Sequence, residues 1–286
     1  MAEKNNSMKS YNPTTPTLRH THLVARVGMK KNRPLKSLLK KVKSHSGRNA
    51  RGVITVRHQG GGVKRMYRII DFKMDKCDVP AKVVSIEYDP YRSSNIALLS
   101  YADGEKRYII SPEGLFVGDS VISGDNVEAR VGNSMPLSSI PIGSEIYNIE
   151  LTRGKGGVLV RSAGNLAKLQ SIDGKLALIK LPSGEIRYVE ARNYATVGRV
   201  GNAEWANRKL GKAGRSRYLG IRPSVRGMAM HAEQHPHGGG EGKGQVGRVG
   251  KDIWGNRRGT LTRNNKRTNK YIVTRRKGKK GYRKNG

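Results

Sequence analysis

From Gly52 to Val200 the chain alternates short apolar runs with turn residues, which is the pattern of successive short strands. Val53–His58, Tyr67–Phe72, Ala81–Tyr88, Ile96–Tyr101 and Arg107–Ser111 are rich in Val, Ile and Tyr. Asp103-Gly104, between the last two, suits a two-residue hairpin turn, whose positions take positive φ. About five strands by residue 122 fit a small antiparallel barrel. A looser stretch, Gly124–Gly143, contains Pro136 and Pro141. A second series then follows: Glu145–Thr152, Val158–Ser162, Ala167–Ile172, Leu176–Leu181, Ile186–Glu190 and Thr196–Val200. Asp173-Gly174 and Ser183-Gly184 supply its tight turns, and the pitch describes a second small barrel.

Outside this centre the periodicity fades. Residues 1–50 are polar and basic, and Pro13, Pro16 and Pro34 exclude a long helix. Leu35, Leu38, Leu39 and Val42 recur at helical spacing and predict one short helix over 34–42, packed on the core. After Gly201 the helix candidate is Ala203–Leu210, ended by Gly211, and the remainder is punctuated by glycine and expected to be extended. The expected organisation is a basic N-terminal extension (1–50), a first barrel (51–123), a second barrel (124–200) and a Gly/Lys/Arg-rich C-terminal extension (201–286).

Charge sharpens this division. Residues 1–60 hold 14 Lys/Arg and one acid, residues 61–200 hold 19 and 16, and residues 201–286 hold 23 and four. The tail also contains 17 glycines, so it cannot bury a core of its own. A near-neutral centre with two cationic extensions implies a polyanionic partner, and self-repulsion should disorder the extensions without it. No apolar run exceeds four residues, which leaves nothing to span a bilayer, and neither extension shows a long amphipathic helix. The partner is therefore read as nucleic acid and not membrane. Cys77 is the only cysteine, which removes disulfide and Cys-x-x-Cys zinc frameworks. The N-terminus has no signal-like apolar segment, and a soluble, reducing compartment is expected.

Two glycine-rich motifs carry the candidate chemistry. Arg57-His-Gln-Gly-Gly-Gly-Val-Lys-Arg65 sets a triple glycine (Gly60, Gly61, Gly62) among cations, so backbone amides and Arg57, Lys64 and Arg65 could meet phosphate. The same residues also suit an ordinary hairpin tip. Tyr67 lies between Arg65 and Arg68 and fits either base stacking or core packing. Arg153-Gly-Lys-Gly-Gly157 lacks the spacing of a nucleotide-binding P-loop. The second motif is His235-Pro-His237 followed by Gly238, Gly239 and Gly240. Metal binding with His231 and Glu241, or general-base catalysis by His235, must be weighed there. No partner acid recurs at convincing spacing, so the preferred role is positioning against RNA, with the imidazoles as donors or stacking groups.

Long motifs then connect the chain to a family. They are Gly47-Arg-Asn-x-x-Gly52, Arg57-His-x-Gly-Gly-Gly62, Tyr67-Arg-Ile-Ile-Asp-Phe-Lys73, Glu87-Tyr-Asp-Pro-x-Arg92 and Ala97–Leu99. Gly154-Lys-Gly-Gly157, Arg161-Ser-Ala-Gly164, Gly201-Asn-Ala-Glu204 and Gly211-Lys-Ala-Gly214 continue the series. Arg222-Pro-x-Val-Arg-Gly-x-Ala-Met230, His235-Pro-His-Gly-Gly-Gly-Glu-Gly242 and Asn265-Lys-Arg-Thr268 complete it. In this order, from about Tyr11 to Arg276, they resemble the bacterial form of large-subunit ribosomal protein 2. Residues 243–264 and the basic end Lys277–Gly286 depart from the family pattern. Gln234 stands where an acid is frequent.

The resemblance implies a mostly β protein: an OB-fold barrel, then an SH3-like barrel, with basic extended arms that enter the rRNA. It implies a primary rRNA-binding protein of the cytoplasmic large subunit, without enzymatic activity, that supports subunit association, tRNA binding and the peptidyl-transferase region. A catalytic role has been proposed for the family histidine matching His235. Expected partners are large-subunit rRNA, small-subunit rRNA at an intersubunit bridge, and neighbouring ribosomal proteins. No cofactor is expected beyond Mg2+ carried by the rRNA. Besides the residues of the two glycine motifs, the matching segments extend the expected rRNA contacts to Arg48, Arg51, His58, Arg68, Lys155, Arg161, Lys212, Arg215, Arg222, Arg226, Lys266 and Arg267. The competing readings are an acyl-transfer enzyme centred on His235 and a free single-strand RNA chaperone.

Overall fold

Met8–Ser10 (β1) pairs antiparallel with His22–Val24 (β2) around a four-residue helix, Pro16–Arg19 (α1), which Thr15 caps through its side-chain oxygen. The structure is a computed structural model that describes residues 8–26, 29, 34–241, 246–247, 249–260 and 265–276. The basic end Lys277–Gly286 lies outside the described residues. The helix expected over 34–42 does not form. Its place is taken by a 3-10 turn, Lys36–Leu38, and a strand, Leu39–Lys41 (β3), paired with Met66–Arg68 (β4). So short a segment cannot hold a helix on local propensity, and tertiary contacts decide. The Leu35 amide donates to the Tyr108 hydroxyl at 3.1 Å, and Leu38 packs against the Ile70 cluster.

The first barrel-type unit is built on Ala81–Glu87 (β5), Ile96–Tyr101 (β6), Lys106–Ile110 (β7) and Ser120–Val121 (β8), in the order β7-β6-β5-β8. β5 turns Ala81, Val83, Ser85 and Glu87 inward, and a bulge between Val83 and Ser85 curls it. Val83, Leu99, Ile109 and Val121 lie in one core with Met74 and Tyr101. The expected strand at Val53–His58 is absent. Ile54 makes one bridge to Arg48, while Val53, Ile54 and Val56 are exposed. The chain there folds back on Gly47, whose carbonyl accepts the amides of both Thr55 and Val56, so these β-branched residues face no partner strand.

The second unit is a seven-stranded curled antiparallel sheet of Ser134–Pro136 (β9), Glu145–Tyr147 (β10), Ala167–Asp173 (β11), Leu176–Lys180 (β12), Ile186–Glu190 (β13), Tyr194–Val197 (β14) and Ile272–Thr274 (β15). Its order is β15-β13-β12-β11-β10-β14-β9. β9 lies in the stretch expected to be loose, and β14 pairs with it throughout. Val158–Ser162 is not a strand, since its single bridge joins Leu159 to Ile149. Leu137, Ile146, Ile149, Leu169 and Ile179 fill the core. Tyr147 joins the two units: it is buried with Ile96, Tyr108, Ile110 and Val200, and its hydroxyl donates to the Ile110 carbonyl at 3.3 Å. Burial pushes its phenol far above the ordinary tyrosine value.

The C-terminal extension is more structured than the pattern implied. Ala203–Asn207 is a 3-10 helix shorter than the expected one, and Ala213–Tyr218 (α2) and Lys266–Asn269 (α3) are helices without apolar periodicity. α2 is held from outside by Arg215, whose Nη1 donates to Thr21 Oγ1 at 3.0 Å and to the Leu210 carbonyl at 2.6 Å. Among the described residues no helix is long and apolar enough to cross a membrane.

Candidate nucleic-acid interface

The triple-glycine loop locks onto the C-terminal extension. The Gly60 amide donates to the Gly220 carbonyl at 2.9 Å, Val63 to Tyr218 at 3.0 Å, and Arg222 back to His58 at 3.0 Å. Gly62 has φ +96°, and a Cβ there would lie 3.0 Å from the Gly220 Cα, so the approach needs glycine. His58 Nδ1 donates to the Pro223 carbonyl at 3.1 Å. Arg65 is spent on the protein, donating to the carbonyls of Pro90 and Leu219. Beside this junction runs a groove of about 680 Å³ lined by Lys41, His45, the three glycines, Lys64 and Tyr91. Arg48, Arg51, Arg57, Lys64, Arg222 and Arg226 are exposed.

Behind the groove, cations and rings interleave. Tyr67 and Tyr91 meet edge-on with centroids 5.6 Å apart, and Arg65 lies 4.9 Å from the Tyr91 ring. The Tyr67 hydroxyl accepts from Arg92 Nη2 at 3.0 Å, and Arg92 Nε donates to the buried Asp89 carboxylate. Arg92 and Arg161 both pack on Phe72, at 5.0 and 4.3 Å from its centroid. Burial and the neighbouring Arg92 charge hold Arg161 below the ordinary arginine value. Arg68 turns inward, donating to the Met66 carbonyl, and its buried Nε finds no partner. Tyr91 and Arg92 were not among the expected contacts, although the run Tyr88-Asp-Pro-Tyr-Arg92 already carried the aromatic–cation pattern.

A buried carboxylate shapes the next loop. Glu150 accepts the amides of Gly156 at 2.7 Å and of Gly154 and Tyr194 at 3.3 Å, while the Gly157 amide donates to the Phe72 carbonyl. A Cβ on Gly157 would lie 2.2 Å from Asn148 Oδ1. The loop thus docks the second unit on the first and leaves Lys155 exposed beside it.

At the histidine motif each imidazole accepts a hydrogen bond. His235 Nδ1 accepts the His237 amide at 3.0 Å, and His237 Nε2 accepts the Lys251 amide at 2.9 Å. His235 therefore carries its proton on Nε2 and His237 on Nδ1, leaving one donor nitrogen on each. The rings meet edge-on at 5.0 Å. Arg226, Asp252 and Arg258 share a cavity of about 540 Å³ with them. Asp252 is the acid that spacing did not supply, because it sits in the part of the chain that departs from the family pattern. Burial pushes its carboxyl up, but hydrogen bonds from Asn256 and Trp254 and the nearness of His235 outweigh this and hold it low. Gly238, Gly239 and Gly240 follow the rings, with Gly239 donating to the Met230 carbonyl. Among the described residues no group of three or more His, Cys, Asp or Glu is arranged to hold a metal ion.

Lys212 stands exposed beside α2, and Lys266 and Arg267 stand exposed on α3. The ion pairs of Lys and Arg among the described residues all lie between Asp71 and Arg199. Arg107 alone gathers Asp71, Asp75 and Glu105. Among the described residues, the Lys and Arg side chains of both extensions have no carboxylate paired with them. Residues 35–123 match the family model described as Ribosomal Proteins L2, RNA binding N-terminal domain. Residues 130–255 match Ribosomal Proteins L2, C-terminal domain.

Proposed function

Because the chain belongs to the ribosomal protein L2 family, a structural and RNA-binding family of the large ribosomal subunit, we propose that it is a primary rRNA binder whose extensions meet phosphate through unpaired cations. The partition of ion pairs carries this reading: the centre neutralises itself, and the extensions leave their charge for a polyanion. The exposed residues around the glycine junction, from Arg48 to Arg226, position the protein on phosphates, and RNA shape dominates over base sequence. Arg65, Arg68 and Arg215 serve by holding the protein's own loops in place.

In this reading the protein supports subunit association, tRNA binding and the peptidyl-transferase region of a cytoplasmic ribosome, touching small-subunit rRNA at a bridge, and catalyses no step. It needs no cofactor of its own beside the Mg2+ that rRNA carries. What argues against acyl transfer is the state of His235: with Nδ1 accepting a backbone amide and Nε2 protonated, the ring offers no free basic lone pair.

Affinity for rRNA should fall steeply with salt. If ~10 phosphates are neutralised, log K against log salt should have a slope of about −7 to −9. A slope shallower than about −3 would remove charge as the main contact. Migration with large subunits in a salt-washed gradient separates this role from that of a free RNA chaperone.

A further inference from the structure

A further cavity, of about 380 Å³, lies away from the glycine and histidine loops, where the two extensions meet the first barrel unit. Three aromatic rings line it, each from a different segment, and each carries a cation. Lys9 lies 5.3 Å from the Tyr11 ring, Arg26 lies 4.0 Å from Tyr88, and Arg208 lies 3.6 Å from Trp205. The walls are fixed: the His22 and Lys209 backbones exchange hydrogen bonds at 3.0 and 2.8 Å, tying β2 to the segment that follows Trp205. Asn202 is anchored by its Nδ2, which donates to the Ser93 carbonyl at 2.6 Å, and it lines the cavity with Asn95.

Among the described residues no carboxylate lines this cavity. Burial lowers Arg208 below the ordinary arginine value, the sign of a cation short of solvent. A cavity of this size suits a small organic group, and rings with adjacent unpaired cations suit one that is aromatic and anionic at once. A lone phosphate would use the cations and leave the rings idle. A peptide acid would do the same. A nucleotide uses both.

We propose that this cavity receives one unstacked nucleotide of RNA, its base against Trp205 and Tyr88 and its phosphate against Arg26 and Arg208. The proposal rests on the rRNA-binding reading and adds a base-stacking site to a surface otherwise read as phosphate contact. Asn95 and Asn202, whose amide nitrogen already holds Ser93, put polar groups in the wall for the edge of the base, which single-stranded RNA exposes and helical RNA hides.

The chain has two tryptophans, so Trp254→Phe leaves Trp205 as the sole indole without altering the cavity. When this full-length chain binds large-subunit rRNA, Trp205 emission should be quenched and shielded from acrylamide. In assembled subunits, Trp205→Leu should open at least one unpaired rRNA base to a base-modifying reagent that the unaltered chain protects, and Trp205→Phe should keep it protected. Loss of one base stack should weaken rRNA affinity about tenfold. If rRNA binds with the expected salt slope while Trp205 stays as open to acrylamide as in the free chain, the nucleotide site is overturned and the rRNA reading stands. Shielding of Trp205 with unchanged base reactivity in Trp205→Leu subunits would also overturn it, by showing another occupant. Absence of rRNA binding would overturn both.

Discussion

A methyl group on Gly227 would lie 2.3 Å from the His235 imidazole, so the ring's position is set by a glycine eight residues earlier as much as by its own loop. The loop was legible in the sequence as a run of glycine and histidine. The role of the ring was not, because sequence spacing does not show which nitrogen is already engaged. The imidazoles expected as donors are first acceptors, from His237 and Lys251, and the acid near them comes from Asp252. His235→Gln retains an oxygen that can accept the His237 amide, whereas His235→Ala leaves that amide unsatisfied, at a cost of about 1–3 kcal/mol. Subunits with Gln should assemble and form peptide bonds nearly normally, and subunits with Ala should suffer in assembly or tRNA binding. A lost general base would instead slow chemistry ~10²–10⁴-fold. Peptide-bond formation measured on fully assembled particles decides between these, and a hundredfold loss in both variants would mean that His235 takes part in the chemistry.

At the scale of elements, the pattern of short apolar runs between turn residues placed the central strands of both sheets, although Tyr67–Phe72, Glu145–Thr152 and Thr196–Val200 form with other bounds, as Met66–Arg68, Glu145–Tyr147 and Tyr194–Val197. Ile96–Tyr101 and Ile186–Glu190 form with the bounds their sequences imply, each between two neighbours in its sheet. It failed where long-range contacts decide. Leu35–Val42 had helical spacing but meets β4, and Val53–His58 had strand composition but meets no strand. β15 was illegible for another reason: Ile272-Val-Thr274 is too short to show a pattern and is flanked by cations. It closes the edge of β13, with Tyr188 donating to the Tyr271 carbonyl at 2.8 Å. A chain ending at residue 264 should fold its second barrel yet lose protection of the Tyr188 amide in hydrogen exchange. Equal protection in the two chains would show that β13 needs no partner from the C-terminal extension.

Across the whole molecule two opposed effects act on the C-terminal extension. Its 23 cations against four acids repel one another, which is why composition alone predicts an arm that orders only on RNA. Local ties oppose this from Gly201 to the residues that meet the glycine loop, and again where β15 pairs with β13. Gly201 donates to the Ser111 carbonyl at 3.0 Å, Asn202 holds Ser93, Arg215 holds Thr21, and Gly220 accepts from Gly60. None of these ties was visible as periodicity, since they run between backbone groups and single polar side chains far apart in sequence. Repulsion is long-ranged and weakens as the Debye length shortens, from about 10 Å at 0.1 M to about 3 Å at 1 M salt. The hydrogen bonds are short-ranged and change little. In the RNA-free protein, raising salt should therefore slow trypsin at Arg208, Lys209, Lys212 and Arg215 relative to the exposed Arg257 and Arg258, which measure the protease's own response to salt. The protected fragment should then run from the first barrel through about residue 222, well past Val197, where β14 ends. If cutting at Arg208–Arg215 keeps pace with Arg258 at every salt concentration, the ties at Gly201, Asn202 and Arg215 do not outlast the repulsion, and rRNA must supply the order of the whole extension.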